Sequence, residues 1–145
     1  MTLLYLDTSA LVKRYLNEPG SEEIRRLMRK YRTQGSLEIA RIEGHSAFAK
    51  AARMGAISLE EAVQLARAFD RDWFKIFHLR VNDGIVELAS RAAWDHGLRA
   101  YDAAHLGAAL YWKGITDLPL LLATFDRDLH TAARDRGLLV FPDSL

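Results

Sequence analysis

Four acidic side chains stand where the sequence pattern ends a strand or starts a helix: Asp7, Glu43, Asp102 and Asp126. Each taken alone has an ordinary explanation. Asp7 and Asp126 are good helix caps, contributing about 1 kcal/mol each, and Glu43 suits a helical first turn, where negative charge is favoured. Asp102 is harder to explain this way, because Ala103, Ala104, Leu106, Gly107, Ala108 and Ala109 mark its helix as largely buried. A buried carboxylate needs a compensating partner. Four carboxylates brought together would raise one another's pKa values, and a divalent cation relieves that repulsion. Hard oxygen donors with water in the remaining positions select Mg²⁺ or Mn²⁺ over zinc, and such ions activate water and neutralise charge at a phosphodiester. Asp128 competes with Asp126 for the fourth place; Asp126 is preferred because it directly follows the apolar strand and Thr124-Phe125.

Other chemistries find less support. The chain has no cysteine, which excludes disulfide scaffolds, thiolate zinc sites and cysteine nucleophiles. The five histidines lack the H-E-x-x-H zinc spacing. His105 lies three residues after Asp102 and shares its helical face, but a core or surface histidine is the simpler reading, and none of the five is given catalytic work. Ser9 has neither a G-x-S-x-G setting nor an evident triad, so it reads as a cap. No glycine-rich phosphate loop occurs.

The elements that must position the acids follow from periodicity. Leu3 to Leu6 is an apolar run ending at Asp7-Thr8-Ser9, any of which caps the helix begun by Ala10-Leu11-Val12. A helix is expected over Ser21 to Tyr31, then a weak strand over Ser36 to Ala40 leading to a helix opened by Glu43 and closed by Gly55. Ser58-Leu59-Glu60-Glu61 has capping-box spacing, and Leu59, Val63, Ala66, Phe69, Trp73 and Phe77 recur at helical intervals. A strand near His78 to Val81, a helix capped at Asn82-Asp83 and closed by Gly97, and a helix from Tyr101 to Lys113 ended by Gly114 come next. Leu120 to Ala123 is a strand of the sort buried on both faces, Asp126 starts the last helix, and Leu138 to Phe141 is the last strand. Short apolar strands alternating with helices imply an α/β fold, a three-layer α/β/α sandwich about a central parallel sheet. In such sheets ligands sit beyond the carboxyl ends of the strands, where Asp7 and Asp126 fall.

The 145 residues, half of them hydrophobic, fit one domain spanning 1–145. Net charge is +1, with ten Lys/Arg against six Asp/Glu in residues 1–55 and ten against thirteen in residues 56–145. That balance argues against indiscriminate nucleic-acid coating but suits a basic surface beside an acidic pocket. The N-terminal segment meets an acid after four apolar residues without a basic leader, and no run approaches the length of a membrane helix. The expectation is a cytoplasmic protein without membrane association.

Leu6-Asp7-Thr8-Ser9-Ala10-Leu11-Val12, Ala40-Arg41-Ile42-Glu43, Leu98-Arg99-Ala100-Tyr101-Asp102-Ala103-Ala104-His105-Leu106 and Thr124-Phe125-Asp126-Arg127-Asp128-Leu129 together resemble the ordered motifs of PIN-domain ribonucleases. The similarity is nearest to the VapC toxins of toxin–antitoxin pairs and runs from Leu4 to about Phe141. It implies an endoribonuclease dependent on Mg²⁺ or Mn²⁺, dimeric, and held inactive by a cognate VapB-like antitoxin. Carried over by position, it makes Asp7, Glu43, Asp102 and Asp126 the metal-binding acidic quartet, with Thr8 and Thr124 as hydroxyls that orient carboxylates or the attacking water. Arg25, Arg26, Arg29, Lys30 and Arg32, beside Tyr31, are then either a solvated helix face or an RNA contact through Arg25, Arg29 and Arg32. The helices after Glu43 and after Ser58 should pair as an antiparallel hairpin. Its apolar residues Phe48, Leu59, Val63, Phe69, Trp73 and Phe77 exceed what one small sheet covers, and some of that surface is expected to remain for the antitoxin. Two rivals were weighed. A receiver-like Mg²⁺-binding module needs paired acids after the first strand and a lysine beyond the last ones, neither of which occurs; an inactive PIN scaffold is disfavoured by retention of all four acids.

Overall fold

The computed structural model describes all 145 residues. The first strand, β1 (Leu3–Leu6), is buried at every position because helices cover both faces of the sheet. Alternation still sorts its side chains: Leu3 and Tyr5 join one core, Leu4 and Leu6 the other. After β1 come α1 (Thr8–Leu11), a 3₁₀ turn (Val12–Arg14), α2 (Ser21–Lys30), β2 (Gln34–Leu37), α3 (Ile39–Arg53), α4 (Leu59–Trp73) and β3 (Phe77–Leu79). The chain then continues through α5 (Asp83–His96), α6 (Ala100–Thr116), β4 (Leu120–Ala123), α7 (Arg127–Asp135) and β5 (Leu139–Phe141). The strands form one parallel sheet in the order β3-β2-β1-β4-β5. Helices α1 to α4 supply the core on one face; α5 to α7 supply it on the other. The three-layer α/β/α arrangement is the expected one.

Register places the chemistry. Leu3 to Leu6 pair in step with Leu120 to Ala123, so β1 and β4 end together, and the Asp7 N–H donates to the Ala123 carbonyl at 3.2 Å. Asp7 and Thr124 therefore leave the sheet side by side at its carboxyl edge.

Several boundaries differ from the expectation. The second strand lies at Gln34–Leu37 rather than Ser36 to Ala40, and α3 begins at Ile39, so Glu43 occupies its second turn and does not open it. Trp112 rests over Gly35, where a Cβ would meet its ring at 2.8 Å; this strand is fixed by a neighbour's bulk and not by its own propensity. Helix α4 stops at Trp73, and Phe77 belongs to β3. Helix α6 runs through Gly114 to Thr116. One glycine costs a helix about 1 kcal/mol, which the burial of Leu106, Ala108, Ala109 and Trp112 outweighs; Leu118-Pro119 is what bars further turns.

Gly107 is where α6 and α5 touch: a Cβ there would lie 2.8 Å from the Ala89 amide nitrogen and 2.9 Å from the Ile85 carbonyl oxygen. Backbone cannot step aside as a flexible side chain can. Gly107→Ala is expected to destabilise by about 1–3 kcal/mol, whereas Gly114→Ala, with open space around it, should stabilise by about 0.5–1 kcal/mol. Urea denaturation midpoints of the two variants check the contrast.

Candidate active site

Asp7 is 3% exposed and is the residue around which the edge is built. It caps α1 by accepting the Ala10 N–H at 2.9 Å through Oδ1. The Ser9 hydroxyl donates across both of its oxygens, at 2.8 and 2.9 Å, and the Thr124 hydroxyl donates to Oδ2 at 2.6 Å. Three donors for about four lone-pair sites leave one direction open. Burial pushes the Asp7 carboxyl pKa up, against the pull of His105, Thr124, the Ala10 amide and Ser9. Ser9 also accepts the Phe125 N–H at 2.9 Å, and Thr124 Oγ1 accepts the Asp126 N–H at 3.0 Å. Ser9 is thus not the cap it was expected to be; Asp7 takes that position, and Ser9 ties Asp7 to the segment after β4.

The other three acids reach the same edge through linked contacts. Glu43 Oε1 accepts from the Thr8 hydroxyl at 2.8 Å and lies 2.8 Å from His105 Nε2. Burial alone would raise the Glu43 pKa, but the hydrogen bond and electrostatic pull of His105 and the bond from Thr8 bring it below its ordinary value. Asp126 caps α7 through the Leu129 N–H at 2.9 Å. The guanidinium of Arg99 lies 3.6 Å from Asp102 and 3.6 Å from Asp126, so it joins α6 to the start of α7. Burial, then the charges of Asp126 and Asp7, push the Asp102 pKa up, while Arg99 and His105 oppose them. Asp128 is exposed and faces a different hollow, with Asp95, His96, Thr131 and Asp135; Asp126 is the acid at the site.

Raised pKa values at Asp7 and Asp102 mark carboxylates that carry their charge against repulsion and lost hydration, which a cation would relieve. The side chains do not form a ready-made cage, since nowhere do three or more His, Asp or Glu stand in an arrangement that could hold a metal ion. The donor chemistry nonetheless fits Mg²⁺ or Mn²⁺: all four acids offer oxygen, and Mg²⁺ usually takes one or two carboxylates directly and keeps several waters. The open direction of Asp7 and the free Oε2 of Glu43 suit direct contact; Asp102 and Asp126 suit contact through water.

Arg25, Arg29 and Arg32 lie elsewhere. Arg25 pairs with Glu22 at 2.6 Å and donates to the Arg14 carbonyl at 3.1 Å. With Arg14 and Met28, Arg25 and Arg29 line one hollow, and Arg32 lines an adjoining one with Arg14, Tyr15 and Lys75. None of the three is hydrogen-bonded or ion-paired to the four site acids.

Sequence reasoning passed over His105, Ser9 and Arg99. Their spacing was a usable signal: Ser9 is two residues from Asp7, and Arg99 and His105 flank Asp102 by three residues on either side. The expected antitoxin groove is corrected at three residues. Phe48, Phe69 and Trp73 are 1%, 1% and 5% exposed, Phe69 packing against Phe48, Tyr15 and Trp73, so they cannot line a docking surface; of the expected apolar set Leu59, Val63 and Phe77 are exposed, with Ile42, Met54 and Phe74 nearby. Helices α3 and α4 do pack on each other, but they bury their aromatics between themselves and the sheet.

Comparison with known proteins adds three findings. The family model of the PIN domain matches residues 4–135. Ribonuclease VapC45 of Mycobacterium tuberculosis is 32% identical over 145 residues, covering 100% of this chain and 99% of that one, and ribonuclease VapC46 of the same species is 33% identical over 144 residues, covering 99% and 100%. A toxin–antitoxin complex from Klebsiella pneumoniae shares the fold at a TM-score of 0.65 and 13% identity, covering 98% of this chain and 99% of the other.

Proposed function

The chain belongs to the PIN domain family, and from that premise we propose how it works as an endoribonuclease, the toxin of a toxin–antitoxin pair. The observation that carries the reading is the meeting of Asp7, Glu43, Asp102 and Asp126 at the carboxyl edge of the sheet, linked through Ser9, Thr124, Thr8, His105 and Arg99.

Asp7 and Glu43 would hold a divalent ion, Mg²⁺ or Mn²⁺, with Asp102 and Asp126 positioning water around it. The ion supplies positive charge at the phosphodiester and lowers the pKa of water. Ser9 and Thr124 donate to Asp7, which favours its charged form against the cost of burial and fixes its orientation. Thr8 holds Glu43 Oε1, leaving Oε2 without a hydrogen-bond partner. RNA is the substrate, and Arg25, Arg29 and Arg32 with Arg14 form a cationic surface suited to its phosphates. No helix of the chain is long and apolar enough to cross a membrane, and a cytoplasmic site of action accords with an RNA target. A cognate VapB-like antitoxin is the partner that silences the site. A homodimer is supported by the exposed Phe77, Ile115 and Val81 around the edge strand β3.

The purified chain is expected to cleave RNA with Mg²⁺ or Mn²⁺ and to stop when a chelator is added, and light scattering at micromolar concentration should give twice the chain mass. Cleavage at an undiminished rate in chelator would overturn the metal-dependent mechanism; a monomer mass would overturn the dimer.

A further inference from the structure

Two side chains buried in the sheet-facing core have polar atoms directed at the site without belonging to the quartet. His105 is 2% exposed and Tyr5 is fully buried. Imidazole Nδ1 lies 2.7 Å from the Tyr5 hydroxyl, and Nε2 lies 2.8 Å from Glu43 Oε1 and 3.3 Å from the Thr8 hydroxyl. The rings of Tyr5 and His105 meet edge-on, with centroids 5.9 Å apart, so packing as well as hydrogen bonding fixes the imidazole. We propose that His105 is a positioning residue for Glu43, its imidazole fixed by Tyr5 so that Nε2–H donates to Glu43 Oε1.

The proton assignment follows from what each partner can do. A carboxylate only accepts, so Nε2 carries the hydrogen facing Glu43. Nδ1 faces the Tyr5 hydroxyl, which can serve it as donor or as acceptor. The contact with Tyr5 holds the ring so that its Nε2–H is directed at Glu43 Oε1. Tyr5 comes from β1, His105 from α6 and Glu43 from α3, so the relay ties one face of the sheet to a helix on the other. Glutamate has three rotatable side-chain bonds, and Glu43 keeps 26% side-chain exposure; without the imidazole only Thr8 would restrain Oε1. Two donors on Oε1 leave Oε2 without a hydrogen-bond partner, the oxygen that a metal ligand or a water-orienting base would use.

This inference rests on the endoribonuclease reading, and its test separates the two. His105→Leu keeps bulk and removes the donor; it should lower kcat for RNA cleavage about 10- to 100-fold with KM for RNA little changed. His105→Gln can place an amide N–H where Nε2–H stood and should recover most of that loss, whereas His105→Asn, whose amide reaches only as far as Nδ1, should not. Independently of activity, ¹⁵N imidazole spectra of the wild-type protein without added metal should show His105 with a protonated Nε2. A wild-type His105 protonated on Nδ1 alone, or a folded His105→Leu with undiminished kcat, overturns the proposal. A wild-type protein that cleaves no RNA overturns the function instead, and the spectrum still decides whether Nε2 carries the proton facing Glu43.

Discussion

Asp7→Asn is expected to cut RNA cleavage by about 10²- to 10³-fold, while the protein stays folded. The asparagine is nearly isosteric, and its carbonyl oxygen can still accept the Ala10 N–H and the Ser9 hydroxyl, so the α1 cap survives. What is lost is one negative charge at the most buried acid of the site. Electrostatic stabilisation of a transition state by one such group is worth about 3–4 kcal/mol, and each 1.4 kcal/mol is about tenfold in rate. Stability should change little or rise slightly, because burial raises the Asp7 pKa and removing the charge removes that penalty. The sign follows from linkage: a carboxyl whose folded pKa lies above its unfolded value costs the fold stability once pH exceeds the unfolded pKa, and asparagine does not titrate. Cleavage rates and urea midpoints, measured together, check both halves; a folded variant with wild-type turnover would sink the site assignment.

Phe69→Ala is expected to cost about 3–5 kcal/mol, a large share of the roughly 5–15 kcal/mol that holds a domain together. The Phe69 ring is 1% exposed and packs edge-on against Tyr15 at 5.4 Å and Phe48 at 5.6 Å, and tilted against Trp73 at 5.8 Å. It also fills the space over Gly44, where a Cβ would come within 2.7 Å of it. Gly44 follows Glu43, so the contact that locks α4 onto α3 also sets the helix presenting a site acid. Thermal denaturation should show a fall on the order of 10 °C. A loss below 1 kcal/mol would mean that the aromatic cluster contributes little and that the α3–α4 packing is held by other contacts.

Much of this architecture was legible in the residues because it depends on local rules. Leu3 to Leu6 and Leu120 to Ala123 are uninterrupted apolar runs, and only a parallel sheet covered on both faces buries such runs completely. Asn82 and Ser58 cap their helices as their types suggest, accepting the Ile85 and Glu61 N–H groups. The boundaries that were misplaced depend on partners distant in sequence. Gly35 sits in a strand because Trp112 lies over it, and Gly114 continues a helix because the turns before it, through Trp112, are buried. Phe69 and Trp73 read as surplus apolar surface, yet Tyr15 and Phe48 pack on Phe69, and Phe69 and His78 pack on Trp73.

The candidate site divides the same way. By itself the sequence determined which acids fall at strand ends and helix starts, because capping preference and apolar periodicity act within a few residues. Only the tertiary structure decided that Asp126 and not Asp128 faces the site, that Ser9 braces Asp7 in place of capping α1, and that His105 turns its Nε2 to Glu43, 62 positions away. Those outcomes depend on the in-step ending of β1 and β4 and on α6 and α3 meeting across the sheet edge. Such contacts are set by packing between segments, whose energies no local stretch of sequence contains.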